Sequence, residues 1–499
     1  MTLPYQTGDP RIGLSEWNEM VDEVNGPGGT LRGDGTDEAQ RLRDGMALAV
    51  AQGVPYALPA GKIIRVASRV DCPAGLTMYA NGSEIRSTVE NGDFVVTFAS
   101  RTTVVGHLQI TAAPGTNVRG FAVVGATRVR LGSVAVAAQT LGAGVDNLDV
   151  AVLLATSTDV RIGLVSTANF DYPVKIDGCQ GVNLGVDIVS YIRGLYITDS
   201  KDVRAVGVIR EPSPNATVSP GHNGVLISAT THDATSDITL DLGVRDAGEH
   251  GFRIGGNKRV RRVRFDSCSA VNVGGCGFKV LGGNATDANH HEDITFYAPI
   301  VEDAGQTPEN AAGIMLQFVR NVQVISPIVR KGSKPFAAGQ GIEIQAAEFV
   351  TTSNPTIRDT MIDGYAVRSV LGDCREVRLV GGEFATTSGG CLLIDYTGRT
   401  FRGVSIEGWP TLNTSDPAGW HVVLTNTGGT GAIIGPVWVT WQSVNVDRQV
   451  TGLLGGYFCD ARATMAGSPG FRDGSTWMDY ATGQRKVREA GAWKTLVLA

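Results

Sequence analysis

Gly251-Phe252-Arg253-Ile254 is followed 26 residues later by Gly277-Phe278-Lys279-Val280, and this phrase of glycine, apolar, any residue, apolar returns along the middle of the chain. It opens at Gly194, Gly224, Gly251, Gly277, Gly313, Gly341, Gly364 and Gly390, with spacings of 30, 27, 26, 36, 28, 23 and 26 residues. Between the phrases lies a second alternating run that opens on a polar residue. Examples are Asp202-Val203-Arg204-Ala205-Val206, Asp237-Ile238-Thr239-Leu240, Asp293-Ile294-Thr295-Phe296, Asn321-Val322-Gln323-Val324 and Glu376-Val377-Arg378-Leu379. An apolar period of two predicts strands, and the Gly, Asn and Asp residues between the runs predict turns. Each repeat therefore holds at least two short strands.

A unit of this length cannot bury its own apolar face, whereas a stack of such units buries one continuous core. The period excludes helical solenoids, the absent leucine/asparagine pattern excludes leucine-rich repeats, and propeller blades need about 40 residues each. The fold expected is all-β: a right-handed parallel β-helix of roughly 15 coils of about 25 residues between Ile63 and Leu454. Val152-Leu153-Leu154 upstream and His421-Val422-Val423-Leu424 downstream continue the alternation.

Composition agrees with that reading. Glycine accounts for 65 of 499 residues, with 20 prolines and no triplet period, which calls for many tight turns rather than collagen. Apolar residues make up 42% and charged residues 18%, enough to build a large core. With 43 Lys+Arg against 49 Asp+Glu the formal charge is -6, so no basic excess exists for nucleic acid. Seven scattered cysteines without a C-x-x-C pair argue against a disulfide framework or structural zinc, and no metal or cofactor is expected. No secretory signal and no apolar run of about 18 residues is present, so the expectation is synthesis in a cytoplasm without membrane insertion.

The ends differ from the middle. Asp37 to Gln52 predicts a helix with Leu42, Met46, Ala49 and Val50 on one face, Asp37 and Gln40 at capping-box spacing, and Gly53 as its stop. Such a helix would cap the exposed edges of the first coil. Ser15 to Val24 predicts a short amphipathic helix, and Arg472 to Leu498 a small β-rich module. The expected division is residues 1–30 for attachment to a particle, 31–62 for the opening motif and capping helix, 63–455 for the β-helix and 456–499 for a fibre-like β module.

Gly33-Asp34-Gly35-Thr36-Asp37-Glu38, a helix, and then Leu58-Pro59-Ala60-Gly61-Lys62 resemble the opening of the pectate-lyase-like superfamily, particularly its bacteriophage spike and fibre members. One residue is missing before the Thr, and Glu38 stands where a second Asp is usual. Trp477 through Thr482-Gly483 to Trp493-Lys494-Thr495 is similar to short C-terminal modules of phage fibres. The resemblance implies a homotrimeric virion spike that meets bacterial surface polysaccharide, either capsule or lipopolysaccharide, and joins other virion proteins through its N-terminus. On the residues alone, the glycines and acidic side chains of the opening motif form a turn and a helix start.

Stacked coils turn a sequence period into spatial columns about 4.8 Å apart. With glycine as the anchor, Asp246, Asn272, Asp303 and Arg330 share one column; with the strand start as the anchor, Glu302 replaces Asp303. Either register puts two carboxylates roughly 9 to 10 Å apart at the backbone, compatible with the separation of about 6.5 to 9.5 Å in an inverting glycosidase. Asp246, Glu302, Asp303 and Glu249 are the candidate catalytic residues, and Asn272, Arg330, His250 and His222 the candidate sugar contacts. The competing reading makes Asp246 and Asn272 turn residues. The basic run Lys258 to Arg264 suits an anionic glycan, a solvated face or a subunit contact. His222 and the pair His290-His291 lack further ligands at metal spacing. Leu226, Met315 and Leu392 occupy outward positions of the glycine phrases and suggest a subunit face. Three functions stay open: a glycan-binding spike or fibre, a glycan hydrolase or lyase with hydrolysis favoured, and a non-catalytic structural spike component.

Overall fold

Asp37 accepts two backbone N–H groups on one carboxylate oxygen, from Ala39 at 3.1 Å and from Ala67 at 2.9 Å, and so ties a helix start to the first coil. The computed structural model describes residues 37–88, 93–114, 118–138, 149–212, 221–282, 290–305, 312–331, 339–360, 362–368, 371–386, 391–395 and 401–407, with separate strands between 411 and 495. The attachment segment 1–30, with its Ser15 to Val24 stretch, and the turn Gly33 to Thr36 lie outside the described residues.

The helix runs Ala39–Gln52, two residues shorter at its start than predicted. That shift makes Gln40 the second helical residue rather than the third, so no capping box forms. Gln40 instead donates to Asp44 at 2.7 Å and accepts from Arg43 at 2.8 Å. Gly53 ends the helix with a φ of 68°, as expected. Ala39, Leu42, Gly45, Met46 and Ala49 are the buried face, and Val50 lies half-buried beside it. A Cβ on Gly45 would stand 2.8 Å from the ring of Tyr56, which explains a glycine inside a helix.

The chain divides into two compact units, Met1–Tyr191 and Ile192–Ala499, and both are parallel β-helices. In the second, the glycine phrases become strands that stack in register. Leu195, Val225, Phe252, Phe278, Ile314, Ile342, Tyr365 and Leu392 each pair with the next in successive coils, and this row faces the core. A coil carries three strand segments rather than two, as in Phe252–Gly255, Val260–Asp266 and Ser269–Val271. Phe252 stacks on Phe278 at 4.7 Å and Phe265 on Phe296 at 4.7 Å, the two pairs meeting edge-on. Offset and edge-on contacts of this kind add about 0.5–1.5 kcal/mol each beyond area burial.

The glycines of the phrase have a steric cause. A Cβ on Gly251 would lie 2.7 Å from the Gly277 carbonyl oxygen, one on Gly277 3.0 Å from that of Gly313, and one on Gly313 2.8 Å from that of Gly341. Each coil thus passes so close to the next that only hydrogen fits. The polar openers of the second run have a different cause: Asp202, Asp237, Asp293, Asn321 and Glu376 all have φ between 45° and 60°, as do Arg262 and Phe349 in the two intervening coils. Asn and Asp tolerate this left-handed bend best.

In the first unit, Thr103–Ala112, Thr127–Ala138, Thr158–Phe170 and Gln180–Tyr191 stack in parallel. A second glycine column appears there, a Cβ on Gly132 falling 2.7 Å from the Gly106 oxygen and one on Gly163 2.5 Å from that of Gly132. Near the C-terminus, Tyr457–Asp460, Thr476–Asp479, Gln484–Glu489 and Ala492–Thr495 form a separate four-stranded sheet, parallel in its first pair and antiparallel afterwards.

Candidate functional site

The turn after the third strand segment brings Asp246, Asn272 and Asp303 together. Arg245, Val271 and Glu302 are register partners, so the next residue of each coil falls in one column. All three adopt left-handed backbone, at φ 60°, 56° and 54°. Asn272 donates its side-chain amide to the Asp246 carboxylate one coil away. Arg330 is displaced from the expected column: it pairs with Glu302 in the ladder, not with Asp303, because Arg330 is the last strand residue of its coil while Asp303 already belongs to the turn. Its guanidinium is held by Glu302 at 2.8 and 3.0 Å. The two proposed anchors therefore describe two adjacent columns, one of turn residues and one of strand ends.

Glu249 and His250 lie on the other side of the same turn, where the chain enters the next glycine phrase. Glu249 accepts the Gly221 amide at 2.7 Å, its second oxygen standing 3.3 Å from His250 Nε2 and 3.6 Å from Arg253. Burial works against ionisation of this carboxyl, yet His250, the Gly221 amide and Arg253 bring it down to about 2. Burial lowers His250 as well, with Glu249 opposing, so the ring is neutral at pH 7. Cys276 donates its backbone N–H to His250 Nδ1 at 2.9 Å, which by elimination leaves the ring hydrogen on Nε2. That nitrogen has no aligned acceptor, and Asn223, 1% exposed and in the equivalent position one coil earlier, has no hydrogen-bond partner for either amide atom. His222, beside it, is also buried.

Sequence reasoning missed the column three residues further on. Tyr196, Leu226, Arg253, Lys279, Met315 and Glu343 are register partners in six successive coils and form a lane of roughly 24 Å. Tyr196 donates its hydroxyl to the Gly221 carbonyl at 2.7 Å. Burial, reinforced by Arg253, lowers the Lys279 pKa. The signal in the sequence is the freely varying third residue of the glycine phrase, which is aromatic or charged as well as apolar.

Two of the three hydrophobes Leu226, Met315 and Leu392 are core residues and not outward ones. Met315 is only 7% exposed and packs with Cys276 and Ala312. Leu392 points inward, because Cys391 and not Gly390 occupies the position of Gly364 in that coil, shifting the phrase by one residue. Leu226 is half-buried in the lane. The basic run is not an open cationic patch either: Arg259 binds Asp233 at 2.8 Å, Arg262 binds Asp237 at 2.6 Å and Arg264 binds Asp266 at 2.5 Å. His291 is structural. It accepts the Val260 amide at 3.1 Å and meets the Leu281 carbonyl at 3.0 Å, and burial depresses its pKa to about 4. No group of three or more metal-ligating side chains occurs among the described residues.

The fold and this lane define a parallel β-helix protein with a mixed polar and apolar column on one strand. No protein-family model matches the chain, and no curated protein matches it. Among solved structures it is similar to the catalytic unit of a GH87 α-1,3-glucanase from Streptomyces thermodiastaticus strain HF3-3, at 15% identity over 83% of this chain and 67% of that one, with a TM-score of 0.41. It is also similar to bacteriophage CBA120 tailspike protein 3, at 13% identity over 98% and 72% with a TM-score of 0.42, and to a mutant tailspike of E. coli bacteriophage HK620, at 12% identity over 94% and 81% with a TM-score of 0.40.

Proposed function

We propose that this protein is a receptor-binding spike or fibre of a phage-like particle and that it binds bacterial surface polysaccharide along the lane of the second unit. The observation that carries the reading is the lane itself, in which Tyr196, Leu226, Arg253 and Lys279 repeat at one coil spacing beside buried Asn223 and His250. A chain of repeating units finds a periodic set of aromatic, apolar and charged contacts there, and aromatic and Arg side chains are the usual anchors of such surfaces. Attachment to the particle through residues 1–30 and assembly as a homotrimer belong to the same proposal. Incubation with purified capsule or lipopolysaccharide tests it, following both binding and chain length. Absence of binding to every host glycan tried removes it. Light scattering tests the trimer, which a monomer at micromolar concentration rules out.

Cleavage is a second reading. It is supported by Asp246 and Asp303 occupying one column two coils apart, roughly 9.6 Å at the backbone. Replacing Asp246 or Asp303 by Asn removes a titratable group and keeps the shape, so cleavage falls about a hundredfold or more while binding survives. Wild-type protein that binds glycan without shortening it leaves both residues as turn formers.

A further inference from the structure

We propose that Asn223, His250, Arg253 and Lys279 form a subsite for the carboxylate of an acidic sugar residue. Arg253 and Lys279 are direct partners in the parallel ladder, so their cationic side chains leave the same position of neighbouring coils about 4.8 Å apart. Like charges at that spacing repel, and Arg253 adds to the burial that already disfavours the charged form of Lys279. Glu249 approaches Arg253 only at 3.6 Å, too long for a hydrogen bond, and Arg253 Nε is buried without a partner.

The buried donors around this pair point the same way. Asn223 is 1% exposed with no hydrogen-bond partner for either amide atom, and fully buried His250 faces only the Glu249 carboxylate, 3.3 Å from Nε2 and out of line for a hydrogen bond. An unpaired buried polar group is costly, and native proteins keep few of them without a function. Three of these four side chains bring N–H donors and no acceptor, given the tautomer that Cys276 imposes on His250. Glu249 supplies one carboxylate against these two cations, so the group keeps an excess of positive charge and of donors that selects an anion, and the planar guanidinium of Arg253 matches a carboxylate in particular. Gly275 preserves the site, since a Cβ there would stand 2.5 Å from His250 Nδ1.

The inference rests on the glycan-binding reading and narrows it to acidic polymers. The test uses the full chain with two probes, a set of hexuronate oligosaccharides and the same oligosaccharides after reduction of their carboxyl groups, by calorimetry. The expected result is at least tenfold tighter binding of the carboxylated set, with that preference lost between 0.05 and 0.5 M salt. Arg253→Gln and Lys279→Gln should each bring the ratio close to one, the carboxylated set losing at least tenfold more affinity than the reduced set, whereas a general structural defect weakens both probes alike and leaves the ratio unchanged. Equal binding of the two probes by the wild type overturns the carboxylate subsite and leaves the glycan reading intact. Binding of neither overturns the subsite as well, and the capsule and lipopolysaccharide assay then decides the glycan reading by itself.

Discussion

Asn272 gives its side-chain amide to the Asp246 carboxylate in the coil below, while both residues hold a left-handed backbone, at φ 56° and 60°. The pair therefore fixes a bend and a coil-to-coil contact at once. Asn272→Ala loses the bond and forces an ordinary residue into left-handed geometry, an expected cost of about 2–3 kcal/mol. Asn272→Gly keeps the backbone freedom and should cost less. Denaturant midpoints that rank glycine below alanine would contradict the turn role.

The glycine ladder makes a sharper prediction. At Gly277 a methyl group would meet Val301 at 2.6 Å and the Gly313 carbonyl at 3.0 Å, so backbone and core side chain must both move. Gly277→Ala should destabilise by about 1–3 kcal/mol or more, even though alanine is the smallest change available. Gly251→Ala, against Ala270 and the Gly277 carbonyl at 2.7 Å each, should behave alike. Unchanged melting of either variant would show that the coils separate more easily than their packing indicates.

His291 predicts an acid limit to stability. Its pKa is about 4 in the folded chain against 6.5 ordinarily, so between those values the unfolded chain takes up a proton that the folded chain refuses. Stability is then complete above pH 6.5 and falls as the pH drops toward 4, by on the order of 3 kcal/mol over the full interval. His250, lowered by burial, acts in the same direction. Urea midpoints at pH 7.5, 6, 5 and 4 check the trend, and His291→Asn should flatten it. A stability that rises on acidification reverses the assignment.

Arg330 and Glu302 join neighbouring coils at the surface, with side-chain exposures of 55% and 28%. An ion pair so open to water is worth about 0–1 kcal/mol. Glu302→Gln should therefore leave the melting temperature nearly unchanged and make no difference to glycan binding. A marked loss of cleavage in this variant would restore Glu302 as a reacting carboxylate.

Much of the fold was legible because its causes are local. The phrase at Gly251 and Gly277 recurs since every coil meets the same steric limit, and the openers Asp237, Asp293 and Asn321 recur since every coil needs the same left-handed bend. The site was legible only in part. Glu249, His250 and His222 were singled out, and the structure places all three at one turn beside Asn223, but Arg253 and Lys279 were read merely as variable positions between apolar residues.

The sequence by itself determined the repeat, the strand character and the helix before the first coil, because each follows from chemistry within one coil repeated in the next; the turn column was legible to within one residue, and the ladder register chose Asp303 over Glu302 and moved Arg330 out of it. Only the tertiary structure decided which coil neighbours meet. Arg259 and Asp233 lie 26 residues apart, Arg330 and Glu302 28. A single-residue slip in one loop length, as at Gly390 and Cys391, turns Leu392 from an outward residue into a core residue. Strand side chains alternate with a period of two, so a shift of one residue exchanges inside for outside.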